Sequence, residues 1–448
     1  MLDPKSAQER ALALVERARR AGADAADAVY SGDSSESIQV RLGKLEDVER
    51  SENEHIGLRV FVGKSSASIG SNDLGDAALD ELAARAVAMA RSAPEDHYAG
   101  LAPEDLLARE FPGDLDLVDP AEPSPVQLRA LAEAAEDAAR AIPGVTNSEG
   151  AGASSGCGTF ALATSHGFSG AYESTSHGLS ASVIAGEGGN MQRDYAWRSA
   201  HHGGDLPAPE EIGKQAGDRA VARLNPGHLS SGQMSVVFDP RVGGSLIGHL
   251  LGAISGAAIA RRSSFLLDKD GAQIFDSAIT IIDDPLRKRG PGSHPFDGEG
   301  LAVSQCKLVE NGKLTGWLMD SAAARQLGGK PTGHASRGHG GAPGVSASNV
   351  HLVPGSVTPA ALMADIADGV YITELIGMGV NGVTGDYSRG AAGFRIVKGE
   401  LAGPVAEFTI ASNLIDMFAA LTAANDLEWY RGINVPTLRV DGMMVAGD

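Results

Sequence analysis

Only two cysteines, Cys157 and Cys306, occur in the 448 residues, and they stand far apart. That excludes a disulfide-built scaffold, and two isolated thiols fit a reducing compartment. Aromatic residues are scarce at 5%, which argues against an aromatic-lined groove. Basic residues are outnumbered: 37 Lys and Arg face 57 Asp and Glu, for a formal net charge of −20. Such a chain repels phosphate and shows no basic stripe, so nucleic acid is not expected as a direct partner. No long hydrophobic run is present either. The nearest approach, Gly243 to Ala260, lacks Lys, Arg, Asp and Glu but contains His249 and much Gly and Ser. A spanning helix wants about 20 predominantly apolar residues, so this stretch reads as a buried helix and no membrane partner is expected. The start, Met1-Leu2-Asp3-Pro4-Lys5, lacks the basic-then-apolar pattern of a secretory signal. A soluble, cytoplasmic protein is the expectation.

What is present is glycine, 58 residues of it, together with clear helix punctuation. Ser6 and Glu9 read as a capping box, with Ala11, Leu14, Val15 and Ala18 on one face and Gly22 as the stop. Alternation marks strands at Ile38–Leu42 and Ile56–Val62. A second helix spans about Ala77 to Ala90, with Leu79, Leu82, Ala86 and Met89 inward. After a Pro-rich, acidic loop from Pro94 to Pro123, Ser124 and Gln127 cap a third helix that Pro143-Gly144 closes. Short polar strands follow at Thr159–Thr164, Gly170–Ser176 and Leu179–Ala185, then a fourth helix from Pro209 to Leu224. The order helix, strands, helix thus occurs twice, which leaves a degenerate internal duplication open.

Asn225-Pro226-Gly227 breaks the chain, so the reading divides it into an N-terminal α/β domain, 1–228, and a β-rich C-terminal domain, 229–448. The fold class is α+β. In the second domain Asn311-Gly312 and Lys398-Gly399 read as hairpin turns, and Thr358-Pro359 opens a helix that Gly369 ends. Gly328 to Gly344 is a loop too sparse in apolar residues to form core, and long loops of this kind are usually functional or mobile.

Twelve histidines invite a search for metal sites. No His is followed by Glu, so there is no HExxH core, and no CxxC occurs. His201 and His202 are adjacent and point apart; His334 and His339 either share a metal or sit in a solvated loop. No Gly-x-Ser-x-Gly elbow exists. Gly385-Asp386-Tyr387-Ser388-Arg389-Gly390 crowds an acid, a phenol, a hydroxyl and a guanidinium between glycines. It reads either as a functional loop or as a tight turn in which Asp386 pairs with Arg389.

Three long segments carry a family resemblance: GLRVFVGKSSASIGSND (57–73), GGSLIGHLLGAISGAAIARRSSFL (243–266) and YITELIGMGVNGVTGDYSRGAAGFRIVKGELAGPVAEFTIASNL (371–414). They resemble the TldD/PmbA family, in the right order and across nearly the whole chain. The resemblance implies a cytoplasmic metallopeptidase system of two related chains, acting on unfolded peptides and in peptide maturation, with a historical label as modulator of DNA gyrase. TldD-type chains carry zinc in an HExxxH helix with a later Cys ligand; PmbA-type chains, also called TldE, are the partner without it. It further implies that the C-terminal domain encloses a peptide-accepting cavity and forms a dimer interface.

With Pro240 and Arg261-Arg262 as anchors, the HExxxH helix falls on residues 248–253. Its two His positions are Gly248 and Ala253, its Glu position is His249, and no Cys follows Cys306. Glycine and alanine side chains bind no metal, and a catalytic zinc needs three protein ligands. The chain therefore resembles the PmbA/TldE type. No cofactor is expected on this chain, zinc is expected on a TldD-type partner, and a dimer is expected, homo- or heterodimeric. Gly248, Gly252 and Gly256 form a smooth helix face onto which another backbone packs. His249 on that helix either polarises a peptide carbonyl or donates to a buried carbonyl. The alternatives to the subunit reading are a peptide-binding homodimer without hydrolysis, and a metal-independent hydrolase using Asp386, Tyr387, Ser388 and Arg389.

Overall fold

The computed structural model describes residues 1–447. Its first half holds α1 (Pro4–Arg20), β1 (Ala25–Arg41), β2 (Lys44–Val62), β3 (Ser65–Ser71) and α2 (Asp76–Ser92). The same order returns in α3 (Pro125–Arg140), β4 (Val145–Thr164), β5 (Ser169–Ala185), β6 (Gln192–Ala200) and α4 (Pro209–Ala222). All six strands form one antiparallel sheet ordered β3-β2-β1-β4-β5-β6. Each helix–strands–helix unit supplies half of it, and the first strands of the two units meet at the centre, Val29 opposite Leu162. Helices α1 and α2 cover one end through Leu14, Leu79 and Ile56, while α3 and α4 cover the other through Leu128, Ile212 and Val183.

The strands run far beyond the apolar alternation. Ile38–Leu42 and Ile56–Val62 belong to opposite arms of one hairpin, and the three polar segments from Thr159 to Ala185 are parts of two strands. The added length is Ser-, Gly- and Glu-rich, and neighbouring strands on both sides of β1, β4 and β5 satisfy its backbone. Ladder bonds, not side-chain burial, hold it, and a period-2 pattern does not register them. Two smaller expectations also change. Helix α1 is capped by Asp3, whose Oδ1 accepts from Lys5 N at 3.0 Å and Ser6 N at 3.1 Å, because Pro4 takes the first helical position. On α2, Ala83, Val87 and Ala90 turn inward and Met89 outward. The Ser124–Gln127 capping box forms as expected.

The second half runs through β7 (Gly232–Phe238), α5 (Pro240–Ala253), α6 (Gly256–Ala260), β8 (Ile281–Asp283), β9 (Cys306–Glu310), β10 (Lys313–Leu314) and α7 (Ser321–Leu327). Then come β11 (Ala335–Ser336), β12 (Gly344–Val345), β13 (Val350–Leu352), α8 (Pro359–Met363), β14 (Asp368–Ile376) and β15 (Asp386–Val397). It ends with β16 (Glu400–Asn413), α9 (Leu414–Ala419), β17 (Leu421–Ala423), β18 (Ile433–Asn434) and β19 (Leu438–Ala446). The main sheet is ordered β16-β15-β14-β7-β19-β17, and β16 also pairs with β19, so the sheet closes on itself. A second sheet, β10-β9-β8-β13-β18, packs nearby through a shared core containing Leu250, Ile281 and Phe418.

Both expected hairpin turns form, with positive φ at Asn311, Gly312, Lys398 and Gly399, as a type I′ turn requires. The helix after Thr358 stops at Met363, well before Gly369, which lies in β14. The uncharged stretch from Gly243 is two helices rather than one. Leu318 N donates to Ile254 O at 2.9 Å and Gly256 N to Leu318 O at 2.7 Å, so a strand-like contact interrupts the helical ladder. The result is a mixed α+β fold, and among the described residues no helix is long and apolar enough to cross a membrane.

Candidate functional site

Asp239 starts α5 by accepting from Arg241 N at 2.8 Å, with Pro240 in the first turn. Leu246, Ile247 and Leu250 face the core, which leaves Gly244, Ser245 and Gly248 on the other side. They line a cleft of about 620 Å³ between the two halves of the molecule. A Cβ at Gly248 would meet only Ile433 Cδ1, at 4.0 Å, so glycine here leaves open space. The other walls come from Arg193 to Tyr195 on edge strand β6, Arg223 after α4, Glu374 on β14, Arg389 on β15, and Arg431.

Five arginines therefore face this cleft against two carboxylates, Asp194 and Glu374, in a chain of net charge −20. Asp194 is buried and accepts from Arg241 Nη1 at 2.7 Å and Nη2 at 3.1 Å, with Arg223 Nη1 at 3.4 Å. Burial pushes its pKa up, but the Arg241 hydrogen bonds and charge outweigh that and hold it below the ordinary carboxylate value. Arg223 also pairs with Glu374. Arg389 and Arg431 pair with no carboxylate among the described residues.

Beneath the cleft, His249 lies edge-on to Tyr387, with ring centroids 6.1 Å apart. His249 Nε2, Tyr387 Oη and Arg389 Nε are all buried without a hydrogen-bond partner. His249 thus does not donate to a buried carbonyl as the structural reading of it required. Burial, then the Arg389 charge, lowers the His249 pKa; burial pushes the Tyr387 phenol up to about 12.

The residues from Asp386 to Arg389 form no turn. They begin β15, where Tyr387 and Arg389 project to one face and Asp386 and Ser388, both exposed, to the other. Asp386 accepts from Thr384 Oγ1 at 2.6 Å and Asn413 Nδ2 at 3.3 Å, so it does not pair with Arg389. His334 and His339 also part company. His334 is buried, with Nε2 3.2 Å from Asp283 Oδ2 and 3.7 Å from Cys306 Sγ, while His339 stacks on His55. His201 bridges Thr175 O and Gly290 O, at 2.6 and 3.0 Å, and His202 reaches Asp116 O. The expected glycine face is not a packing face: Gly252 on α5 is exposed with open space around it, and only Gly256, which begins α6, is crowded.

Sequence reasoning found His249, Tyr387 and Arg389 but missed Asp194, Arg223, Arg241, Glu374 and Arg431. These come from five separate elements or loops, and no local spacing joins them. The signal available was only that arginine recurs in a strongly acidic chain.

Three models of one family match the chain in order. Residues 26–90 match PmbA/TldA metallopeptidase domain 1, residues 118–224 the central domain, and residues 231–447 the C-terminal domain. The metalloprotease PmbA of Escherichia coli O157:H7 is 38% identical over 426 residues, covering 95% of this chain and 92% of the relative. A metalloprotease PmbA homolog of Haemophilus influenzae is 36% identical over 438 residues, covering 97% and 94%. Among solved structures, one from Bacteroides thetaiotaomicron that carries the label modulator of DNA gyrase has a TM-score of 0.92 at 25% identity, covering 100% of both chains. TldE from Thermococcus kodakarensis has the same fold, with a TM-score of 0.86 at 20% identity over 98% of this chain and 100% of its own.

The zinc such a family implies does not fit the residues at α5. Gly248 and Ala253 offer no donor atom, and His249 stands alone there. Among the described residues no group of three or more His, Cys, Asp or Glu is placed to hold a metal ion.

Proposed function

This chain belongs to the PmbA/TldD metallopeptidase family, and from that premise we propose that it is the subunit without zinc of a two-chain peptidase. Its partner is a TldD-type paralogue that carries the HExxxH helix and the metal, and its substrate is unfolded peptide. What carries this reading is α5, where Gly248 and Ala253 stand at the positions that the resemblance gives to the zinc ligands and the glycine opens a cleft instead. The TldE-like fold and the PmbA names of its bacterial relatives support it. In this role the chain binds and positions an extended peptide, largely through backbone groups, and leaves bond cleavage to the partner.

The metal-independent alternative loses its footing on β15. Asp386 and Ser388 face away from Tyr387 and Arg389, so the four side chains do not converge on one reacting bond. The test is metal analysis and hydrolysis of an unfolded casein-type substrate, on the single chain and on the reconstituted pair. The single chain is expected to hold no stoichiometric zinc and to cleave nothing, and the pair to cleave in a chelator-sensitive way. Zinc-dependent cleavage by the single chain overturns the reading. Inactivity of the pair favours a peptide-binding role instead.

A further inference from the structure

We propose that the α5 cleft is a carboxylate-binding subsite, in which Arg389 and Arg431 grip a carboxylate borne by a peptide. The argument starts from charge. Acids outnumber bases 57 to 37 in this chain, yet this cleft gathers five arginines around only two carboxylates, Asp194 and Glu374. Three of the five cleft arginines have partners: Arg223 and Arg241 hold Asp194, and Arg193 reaches Glu149 at 3.4 Å. Those pairs neutralise the wall and leave the two unpaired guanidiniums to set its sign.

Arg431 is already oriented. Its Nη1 donates to Arg241 O at 2.7 Å, and the guanidinium lies 5.2 Å from the Trp197 ring and 4.8 Å from the Tyr430 ring. Its Nε is buried without a partner. Arg389 Nε is in the same state, beside the unpartnered Tyr387 hydroxyl and His249 Nε2. Leaving a buried polar group unmet is costly, so the two unpaired guanidiniums that line this cleft, each with an unmet Nε, mark a place for an acceptor. A planar carboxylate matches the guanidinium fork, whereas a cation is repelled.

The shape agrees. A cleft of about 620 Å³ is in the range that holds a small ligand or a few residues of peptide. Gly244 and Gly248 open the α5 wall between the side chains of Arg241, Val242 and Ser245, so a peptide backbone can lie close to the helix there. That the carboxylate arrives on a peptide rests on the subunit reading; that it is a carboxylate rests on the arginines alone. Two sources share this chemistry, the C-terminal carboxylate and an acidic side chain.

The experiment is fluorescence anisotropy on the single chain with three fluorescein-labelled pentapeptides. One ends in a free acid, one is its C-terminal amide, and one is an amide with Glu in the last position. A charge-assisted contact of this kind is expected to favour a carboxylate-bearing peptide by about tenfold or more over the plain amide. The free acid binding best assigns the site to chain ends; the Glu amide binding equally well or better assigns it to acidic side chains. Arg389→Gln, which breaks no ion pair, is expected to erase the preference without moving the melting temperature, and Arg431→Gln to weaken it. Equal binding of all three peptides, or a preference that survives both substitutions, overturns the proposal. Neither partner nor metal enters this measurement. A pair that cleaves peptide while this chain ignores carboxylates sinks the subsite alone, and a carboxylate-selective chain in an inactive pair sinks the subunit reading alone.

Discussion

Arg337 Nη2 donates to Asp27 Oδ1 at 2.8 Å, joining residues 310 positions apart and both fully or nearly buried. Asp27 also accepts from Arg59 Nε at 2.7 Å on the neighbouring strand. The glycine-rich loop that delivers Arg337 is therefore docked on the N-terminal sheet. Its His339 backbone sits so close to β2 that a Cβ on Gly57 would lie 2.1 Å from His339 O.

Asp27→Asn removes the counter-charge of buried Arg337 and leaves buried Arg59 only Glu299, 4.0 Å away. Removing one partner of a buried ion pair costs about 3–5 kcal/mol, and urea unfolding is expected to show a loss of that order. Burial raises the Asp27 pKa, but Arg59 and Arg337 outweigh it and hold it below 3.8. A depressed carboxylate stabilises the fold above its unfolded pKa and loses that contribution as pH falls through the folded value. The gap between wild type and Asp27→Asn should accordingly narrow in acid; a gap independent of pH contradicts the pairing.

His334 works in the opposite direction. Burial lowers its pKa, yet the hydrogen bonds to Asp283 and Cys306 prevail and raise it from 6.5 to about 9. A raised imidazole pKa stabilises fully below 6.5, and the contribution disappears as pH rises through about 9. The wild-type melting temperature should fall between those limits, and His334→Gln should flatten that part of the profile. An identical slope in both proteins would remove His334 from the account.

The two glycines of the α5–α6 region should respond oppositely to alanine. Gly252 is helical and exposed with nothing within 4 Å of its Cβ position, so Gly252→Ala should stabilise by about 0.4–1 kcal/mol. At Gly256 a Cβ would lie 2.9 Å from Ala323 Cβ and 3.0 Å from Leu318 O. Overpacking there should cost about 1–3 kcal/mol. Thermal or chemical unfolding of the two variants side by side decides the matter.

The β1–β2 turn offers a gain. Leu42 adopts φ 52° and Gly43 φ 71°, a geometry in which leucine is strained. Buried Glu136 holds the turn by accepting from Leu42 N and Gly43 N, both at 2.8 Å. Leu42→Asn should raise stability by up to about 1 kcal/mol, since Asn-Gly suits a type I′ turn. Glu136→Ala should lower it by about 1.5–3 kcal/mol, the range for hydrogen bonds to a charged group. A destabilised Leu42→Asn variant would mean that the half-exposed leucine packs usefully where it is.

Helix faces, proline starts, the Ser124–Gln127 box and the Asn311-Gly312 turn were legible in the sequence, because each is set by residues within one or two turns of each other. The family was legible for a different reason: long segments such as 371–414 preserve order and composition together. That Gly248 and Ala253 have no metal-binding side chain was equally plain, being a matter of which atoms a residue has. Strand length was not legible, since polar strands like β4 are held by backbone ladders whose partners lie on other segments. Nor was the separation of Asp386 from Arg389, which follows from the pleat of β15 and not from their spacing. The cationic cleft belongs wholly to tertiary structure. Asp194, Arg223, Arg241, Glu374 and Arg431 each look like ordinary surface charges along the chain, and Arg389 stood out only as part of a local loop. Their meaning comes from being folded against one glycine-lined helix, where low solvent access makes a paired arginine structural and an unpaired one available.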